Sequence, residues 1–90
     1  MAQLSGKVAL VTGVSSGLGA TVAQLFAERG ATVFGIARDT ARVAAVFETV
    51  PGGVYTSVDI TNPQACKAAV EQCVRQFGQL DILVNAAGFH

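Results

Sequence analysis

Three glycines stand close together near the start of the chain, in the run Thr12-Gly13-Val14-Ser15-Ser16-Gly17-Leu18-Gly19. Their types and spacing suit the binding of an anion. Gly13 lets the chain turn tightly, Gly17 presents no side chain to hold off a phosphate group, and Gly19 lets a following helix pack closely on the strand before it. N–H groups at the positive end of that helix would face the anion, and the dipole alone adds about 0.3–1 kcal/mol. The same residues also suit a plain strand-to-helix turn. Context separates the two readings: an anion site needs an apolar strand before the glycines and an amphipathic helix after them.

Both are present. Residues 7–12 form an almost continuous apolar run and read as a strand buried on both faces. Leu18, Val22, Leu25, Phe26 and Arg29 then recur at helical spacing, with Gly30 where a helix end wants positive φ. Residues 32–37 read as a second strand, and Asp39 as the cap of a short helix carrying Val43, Val46 and Phe47. Pro51-Gly52-Gly53 ends that helix, and residues 54–58, β-branched and aromatic, read as a third strand. Thr61-Asn62-Pro63-Gln64 has the form of a capping box with Thr61 as the cap, opening a helix that runs to about Phe77. Its stripe is Cys66, Val70, Cys73 and Phe77, with Gly78 at its end; residues 81–85 form a fourth strand and Ala86-Ala87-Gly88 the turn after it. On a helix, Cys66 and Cys73 lie about 10 Å apart at ~1.5 Å per residue, too far for a disulfide, so both read as small apolar groups.

Strands alternating with helices imply an α/β fold, a parallel sheet with right-handed crossovers. The expected strand order is 3-2-1-4, reversing direction between strands one and four. Ligands of such sheets sit outside the strand C-termini at that reversal, where the turns after Thr12 and Asn85 both fall.

The glycine spacing, Gly-x-x-x-Gly-x-Gly after a Thr, departs from the Gly-x-Gly-x-x-Gly dinucleotide fingerprint and resembles the short-chain dehydrogenase/reductase family, which carries Thr-Gly-x-x-x-Gly-x-Gly here. Asn85-Ala86-Ala87-Gly88 resembles the family's Asn-Asn-Ala-Gly, with Ala86 in place of the second Asn. Asp59-Ile60 resembles its adenine-ring contact, and Gly78-Gln79-Leu80-Asp81 its lead-in to strand four. The resemblance runs over essentially the whole chain. It implies a truncated Rossmann-type doubly wound sheet, with residues 1–90 forming one partial NAD(P)-binding domain. It also implies a dinucleotide held by Gly13, Ser15, Ser16, Gly17, Leu18, Gly19, Asp59, Ile60, Asn85, Ala86, Ala87 and Gly88. Asp59 also suits a turn before the helix. Asn85 also suits a turn bonding its own backbone. The family's counterpart of Asn85 ties strand four to the glycine turn, so both readings of that residue can hold together.

Strand two ends at Ala37-Arg38-Asp39. An NAD enzyme places a carboxylate at the end of this strand to hold both ribose hydroxyls, where it would also repel a 2′-phosphate. Counted from Gly30-Ala31, that position falls on Ala37, and Arg38 follows it, a pattern that resembles the family's NADP users. Arg38 is therefore the candidate 2′-phosphate ligand and NADP, rather than NAD, the expected cofactor. The alternative is that Arg38 is a solvated loop residue; Asp39 reads as the helix cap.

The family's catalytic pair is a Tyr with a Lys four residues later. Tyr55 is followed at that distance by Asp59, and Lys7 and Lys67 are the only lysines. By the resemblance, the family's fifth strand, catalytic Ser and dimer-forming helices would follow His90, which reads as a frayed terminal residue. The expectation is a chain with no catalytic residues of its own: the NADP(H)-binding portion of an alcohol dehydrogenase or ketone reductase. The other open reading is a non-catalytic nucleotide-binding or interaction module complete at ninety residues; an ending just past a strand favours truncation. A single truncated domain would leave strand four uncovered. An apolar patch of about 500 Å² left exposed forfeits about 12 kcal/mol at ~25 cal/mol per Å². Self-association, or dependence on a C-terminal half, is expected from that.

Bulk properties exclude other classes. The chain is 51% hydrophobic and 13% charged with zero formal net charge, which suits a globular α/β protein and offers no basic stripe for nucleic acid. The N-terminus lacks a signal-peptide pattern and no apolar run reaches a bilayer-spanning length, so the expectation is a cytoplasmic protein without a membrane partner. The cysteine spacing matches no zinc pattern, and no metal is expected.

Overall fold

The computed structural model describes residues 3–15, 17–39 and 41–86. Seven elements alternate: β1 (Val8–Thr12), α1 (Gly17–Glu28), β2 (Thr32–Ala37), α2 (Ala41–Phe47), β3 (Val54–Ser57), α3 (Pro63–Phe77) and β4 (Ile82–Asn85). The four strands are all parallel in the order β3-β2-β1-β4. β1 is central, with Leu10 opposite Phe34 of β2 on one side and Leu83 of β4 on the other. The parallel sheet is that expected from the alternation and its order is that of the Rossmann type implied by the resemblance; the winding order switches between β1 and β4.

Alternate residues of the sheet feed two apolar layers. Val11 and Val33 pack with Val14, Ala23 of α1 and Val43 of α2. Val8, Leu10, Phe34 and Ile36 pack on the opposite side with Ala69 and Cys73 of α3. There the Phe77 ring meets Phe34 edge-on, with centroids 6.3 Å apart. Both cysteines are free, and burial raises the Cys73 thiol above its ordinary pKa.

Several boundaries differ from the sequence expectation for physical reasons. α1 begins at Gly17, and the residues it turns to the sheet are Gly19 and Ala23, with Val22, Phe26 and Ala27 partly buried. Leu18 and Leu25 are exposed, because the helix lies so close to the strands that small residues take the inner stripe. Its end is as expected: Gly30 has φ +94°, and the N–H groups of Gly30 and Ala31 donate back to Ala27 and Phe26 at 3.0 Å each, capping the helix carbonyls. β3 stops at Ser57.

The cap of α3 is Asn62 instead of Thr61: Asn62 Oδ1 accepts from the N–H groups of Gln64 (3.0 Å) and Ala65 (3.2 Å). The Thr61 hydroxyl is drawn away to Asp59 Oδ1 at 2.6 Å. Asp39 does cap α2, accepting from the Ala41 N–H at 2.9 Å. No helix among the described residues is long and apolar enough to cross a membrane.

Candidate functional site

Those of the singled-out residues that the structure describes gather at the C-terminal ends of the strands. After β1 the chain turns at Gly13, whose φ is +69° and whose N–H donates to the Ile36 carbonyl at 2.9 Å, tying the turn to β2. Val14 inserts into the core behind it. Gly19 is required by packing: a Cβ there would lie 2.1 Å from the Gly13 carbonyl oxygen, so even Ala would force backbone apart. Gly17 is different. A Cβ there would meet nothing within 4 Å, and the residue is not among the glycines of positive φ. Neither a positive φ nor a close neighbour among the described residues calls for glycine here, and the backbone at the start of α1 is left open. Ser15 is half-buried in the same turn and Leu18 is exposed on the first turn of α1.

At the next strand over, the Thr12 hydroxyl donates to Asn85 Oδ1 at 2.9 Å, locking the end of β1 to the end of β4. Asn85 thus ties strand four to the foot of the glycine turn. Ala86 is buried beside it. Ser16, Ala87 and Gly88, also expected at the site, lie outside the described residues.

On the other side of β1, the ends of β2 and β3 bring Arg38 and Asp59 together, with Arg38 Nη2 3.8 Å from Asp59 Oδ2. Their backbones are joined as well. The Val58 N–H donates to the Ala37 carbonyl at 2.9 Å and the Ser57 hydroxyl to the Arg38 carbonyl at 3.0 Å. Asp59 fulfils the turn role: its Oδ1 accepts both the hydroxyl (2.6 Å) and the N–H (3.0 Å) of Thr61. Those two bonds, the hydroxyl first, hold its carboxyl below the ordinary aspartate range; the Arg38 charge adds to this and partial desolvation opposes it.

Between these ends and α3 lies a pocket of about 220 Å³ whose walls include Thr12, Asn85, Ile60, Cys66, Val70 and Leu83. Two of these, Ile60 and Asn85, were expected at a site. Cys66 and Val70 were read as core stripe. Their four-residue spacing signals one helix face but cannot say that the far end of that face borders an opening. Tyr55 stands apart on the outer strand, its ring tilted against Phe47 with centroids 5.0 Å apart.

Residues 7–90 match the short chain dehydrogenase family. The chain is 41% identical over 86 residues to L-fucose dehydrogenase of Bos taurus, covering 96% of this chain and 32% of that protein. It is 43% identical over 86 residues to a 3-oxoacyl-[acyl-carrier-protein] reductase of Vibrio cholerae, covering 94% of this chain and 35% of the relative. Among solved structures, it resembles 3-ketoacyl-(acyl-carrier-protein) reductase from Brucella melitensis complexed with NADH (TM-score 0.83, 40% identity, 90% of this chain and 34% of that one). It also resembles hydroxysteroid dehydrogenase from Escherichia coli (TM-score 0.81, 32% identity, 91% and 37%). The chain therefore spans about a third of the length of the relatives it matches.

Proposed function

The chain belongs to the short chain dehydrogenase family, and from that premise we propose that it is the NADP(H)-binding portion of an oxidoreductase of the alcohol dehydrogenase or ketone reductase type. The observation that carries the reading is Gly17, a helix-opening glycine with open space where its side chain would be. A pyrophosphate fits that space, facing the N–H groups at the positive end of α1. The dinucleotide, when bound, supplies or accepts a hydride.

This chain's own residues position the dinucleotide. The turn at Gly13, Ser15, Ser16, Gly17, Leu18 and Gly19 holds the diphosphate. Asp59 and Ile60 flank the adenine. Asn85 and Ala86 close the floor of the crevice, and Ala87 and Gly88 are assigned to the cofactor by the family resemblance alone. Arg38 meets the ribose 2′-phosphate, a charge-assisted contact worth about 1.5–3 kcal/mol. Ala37 offers no carboxylate to repel that phosphate.

Proton transfer to a carbonyl oxygen needs a positioned donor, which contributes about 10²–10⁴ in rate. Tyr55 does not serve, being packed on Phe47 in the outer strand. The ninety residues on their own are therefore proposed to be inactive, with catalysis depending on residues outside them. The outer side of β4, where Leu83 is exposed, points to reliance on the rest of a longer protein or to self-association.

Calorimetric titration with NADP and NAD tests the cofactor assignment. Binding of NADP more tightly than NAD is expected, with Gly17→Val abolishing both while the melting transition is retained. An NAD affinity equal to or above that for NADP overturns the assignment to NADP, and unimpaired binding by Gly17→Val overturns the diphosphate site. Turnover of alcohols, ketones or aldehydes by the purified ninety-residue chain, followed by nicotinamide absorbance, would overturn its inactivity.

A further inference from the structure

The cofactor reading assigns Arg38 to the 2′-phosphate and Asp59 to the adenine, yet the two side chains are within 3.8 Å of each other. Asp59 is not free to leave. Thr61 donates two hydrogen bonds to its Oδ1, and its carbonyl accepts from the Asn62 N–H at 3.0 Å. Its second oxygen, Oδ2, is the one turned toward Arg38. Among the described residues, Arg38 is held through its main-chain carbonyl, which accepts from the Ser57 hydroxyl, and its side chain is 72% exposed. A fixed carboxylate thus faces a long, exposed cation whose planar guanidinium has donors enough for two anions but a single positive charge.

We infer that Asp59 limits the discrimination between NADP and NAD by competing with the 2′-phosphate for the Arg38 guanidinium. This rests on the reading that Arg38 is the 2′-phosphate ligand. NAD carries a hydroxyl at that position and leaves the Arg38–Asp59 pair intact. NADP brings a phosphomonoester of charge about −1.5 to −2, which must draw the guanidinium away from Asp59 or share it under like-charge repulsion. The competition penalises NADP alone. Asp59 is in this respect a positioning residue that acts through Arg38 and sets the ratio of the two affinities.

The ratio is also what separates this role from any other Asp59 has. NADP and NAD share the adenine, the pyrophosphate and the turn that Thr61 maintains, so losing an adenine contact or loosening that turn changes both affinities alike. Asp59→Asn keeps an Oδ1 to accept from Thr61 and removes only the charge. Dissociation constants for NADP and NAD are to be measured at one ionic strength on the native protein and on Asp59→Asn, Arg38→Ala and the double variant. The expected result is that Asp59→Asn raises the preference for NADP by about threefold to fivefold, the scale an exposed ion pair supplies. In the Arg38→Ala background the same substitution is expected to change the ratio by less than about twofold, the two residues being coupled.

An unchanged or lowered ratio in Asp59→Asn, while Arg38→Ala still removes the NADP preference, overturns this inference and leaves the cofactor reading standing. An equal gain with and without Arg38 also overturns it, since repulsion would then act directly on the phosphate. An Arg38→Ala protein that keeps its NADP preference, or a native protein that binds neither dinucleotide, overturns the assignment of Arg38 and this inference with it.

Discussion

Leu10 and Leu83 are register partners on neighbouring parallel strands, the same residue type on the same face of the sheet. Leu10 is 1% exposed and Leu83 63%. β1 has a strand along each edge and helices over both faces, so Leu10 is enclosed by Phe34, Ile36, Ala69 and Cys73. Among the described residues β4 has β1 on one edge only, and an open pocket separates Leu83 from Cys66 and Val70 of α3. The difference teaches that the burial of an apolar side chain is a property of what stands around it; its own hydrophobicity is the same in both places. Such an exposed leucine beside an open sheet edge is a surface that invites a partner.

The comparison can be broken or sharpened by substitution. The largest effect is expected for Leu10→Ala, about 3 kcal/mol of stability in denaturant melts, since Leu10 is 1% exposed and the space left would widen the pocket it lines with Ile36 and Leu83. Gly19→Ala comes next, at up to about 3 kcal/mol, the upper end of the usual overpacking range, because the added Cβ strikes the Gly13 carbonyl and not a side chain that could swing away. Leu83→Ala in the ninety-residue chain is expected to stay within about 0.5 kcal/mol, as for surface positions. A cost for Leu83→Ala equal to that for Leu10→Ala would show β4 to be covered in the protein measured, by a second copy or by further chain, and would break the contrast.

The smallest effect is an acid limb to stability at the opposite end of the same two strands. Asp81 accepts from the Val8 N–H at 2.8 Å and from the Gln79 side chain at 2.6 Å, pinning the start of β4 to the start of β1. Those bonds hold its carboxyl below the ordinary aspartate range, with the Val8 N–H the larger cause. A carboxylate lowered in the folded state stabilises above its unfolded value, and that contribution is lost as pH falls through the folded one. The melting temperature is thus expected to fall below about pH 4, and Asp81→Asn to flatten that fall. An unaltered acid limb in the variant would mean that other carboxylates carry it, with Asp59, lowered in the same direction, the next to test.

Much of this architecture is legible in local pattern. The apolar run of 8–12 and the breaks at Gly30, Pro51 and Gly78 mark elements because each depends on neighbours within a few residues, and alternation of strands with helices restricts how a parallel sheet can be wound. The glycine turn is legible for the same reason, as is the Asp39 side chain at the start of α2, whereas Asn85 beside the turn, 73 residues from Thr12, was expected only through the family resemblance. Where local signals compete, the sequence is ambiguous: Thr61 and Asn62 are both good caps, and the outcome turns on Asp59 taking the Thr61 hydroxyl. The exposure of Leu18 and Leu25 was not legible, because helical spacing marks a stripe without saying how near the helix lies to the sheet.

The sequence by itself thus determined the order of elements and the glycine turn that opens α1, set by short-range periodicity and steric limits on the backbone, while the strand order was expected from the general winding of doubly wound sheets. Only the tertiary structure decided that Leu10 is buried and Leu83 bare, that Leu18 and Leu25 are exposed, and that Arg38 faces Asp59. Each of these depends on residues distant in the chain being brought side by side. The right-handed crossovers set adjacent strand ends within a few ångströms, and contacts between them have no counterpart in the spacing of residues along the sequence.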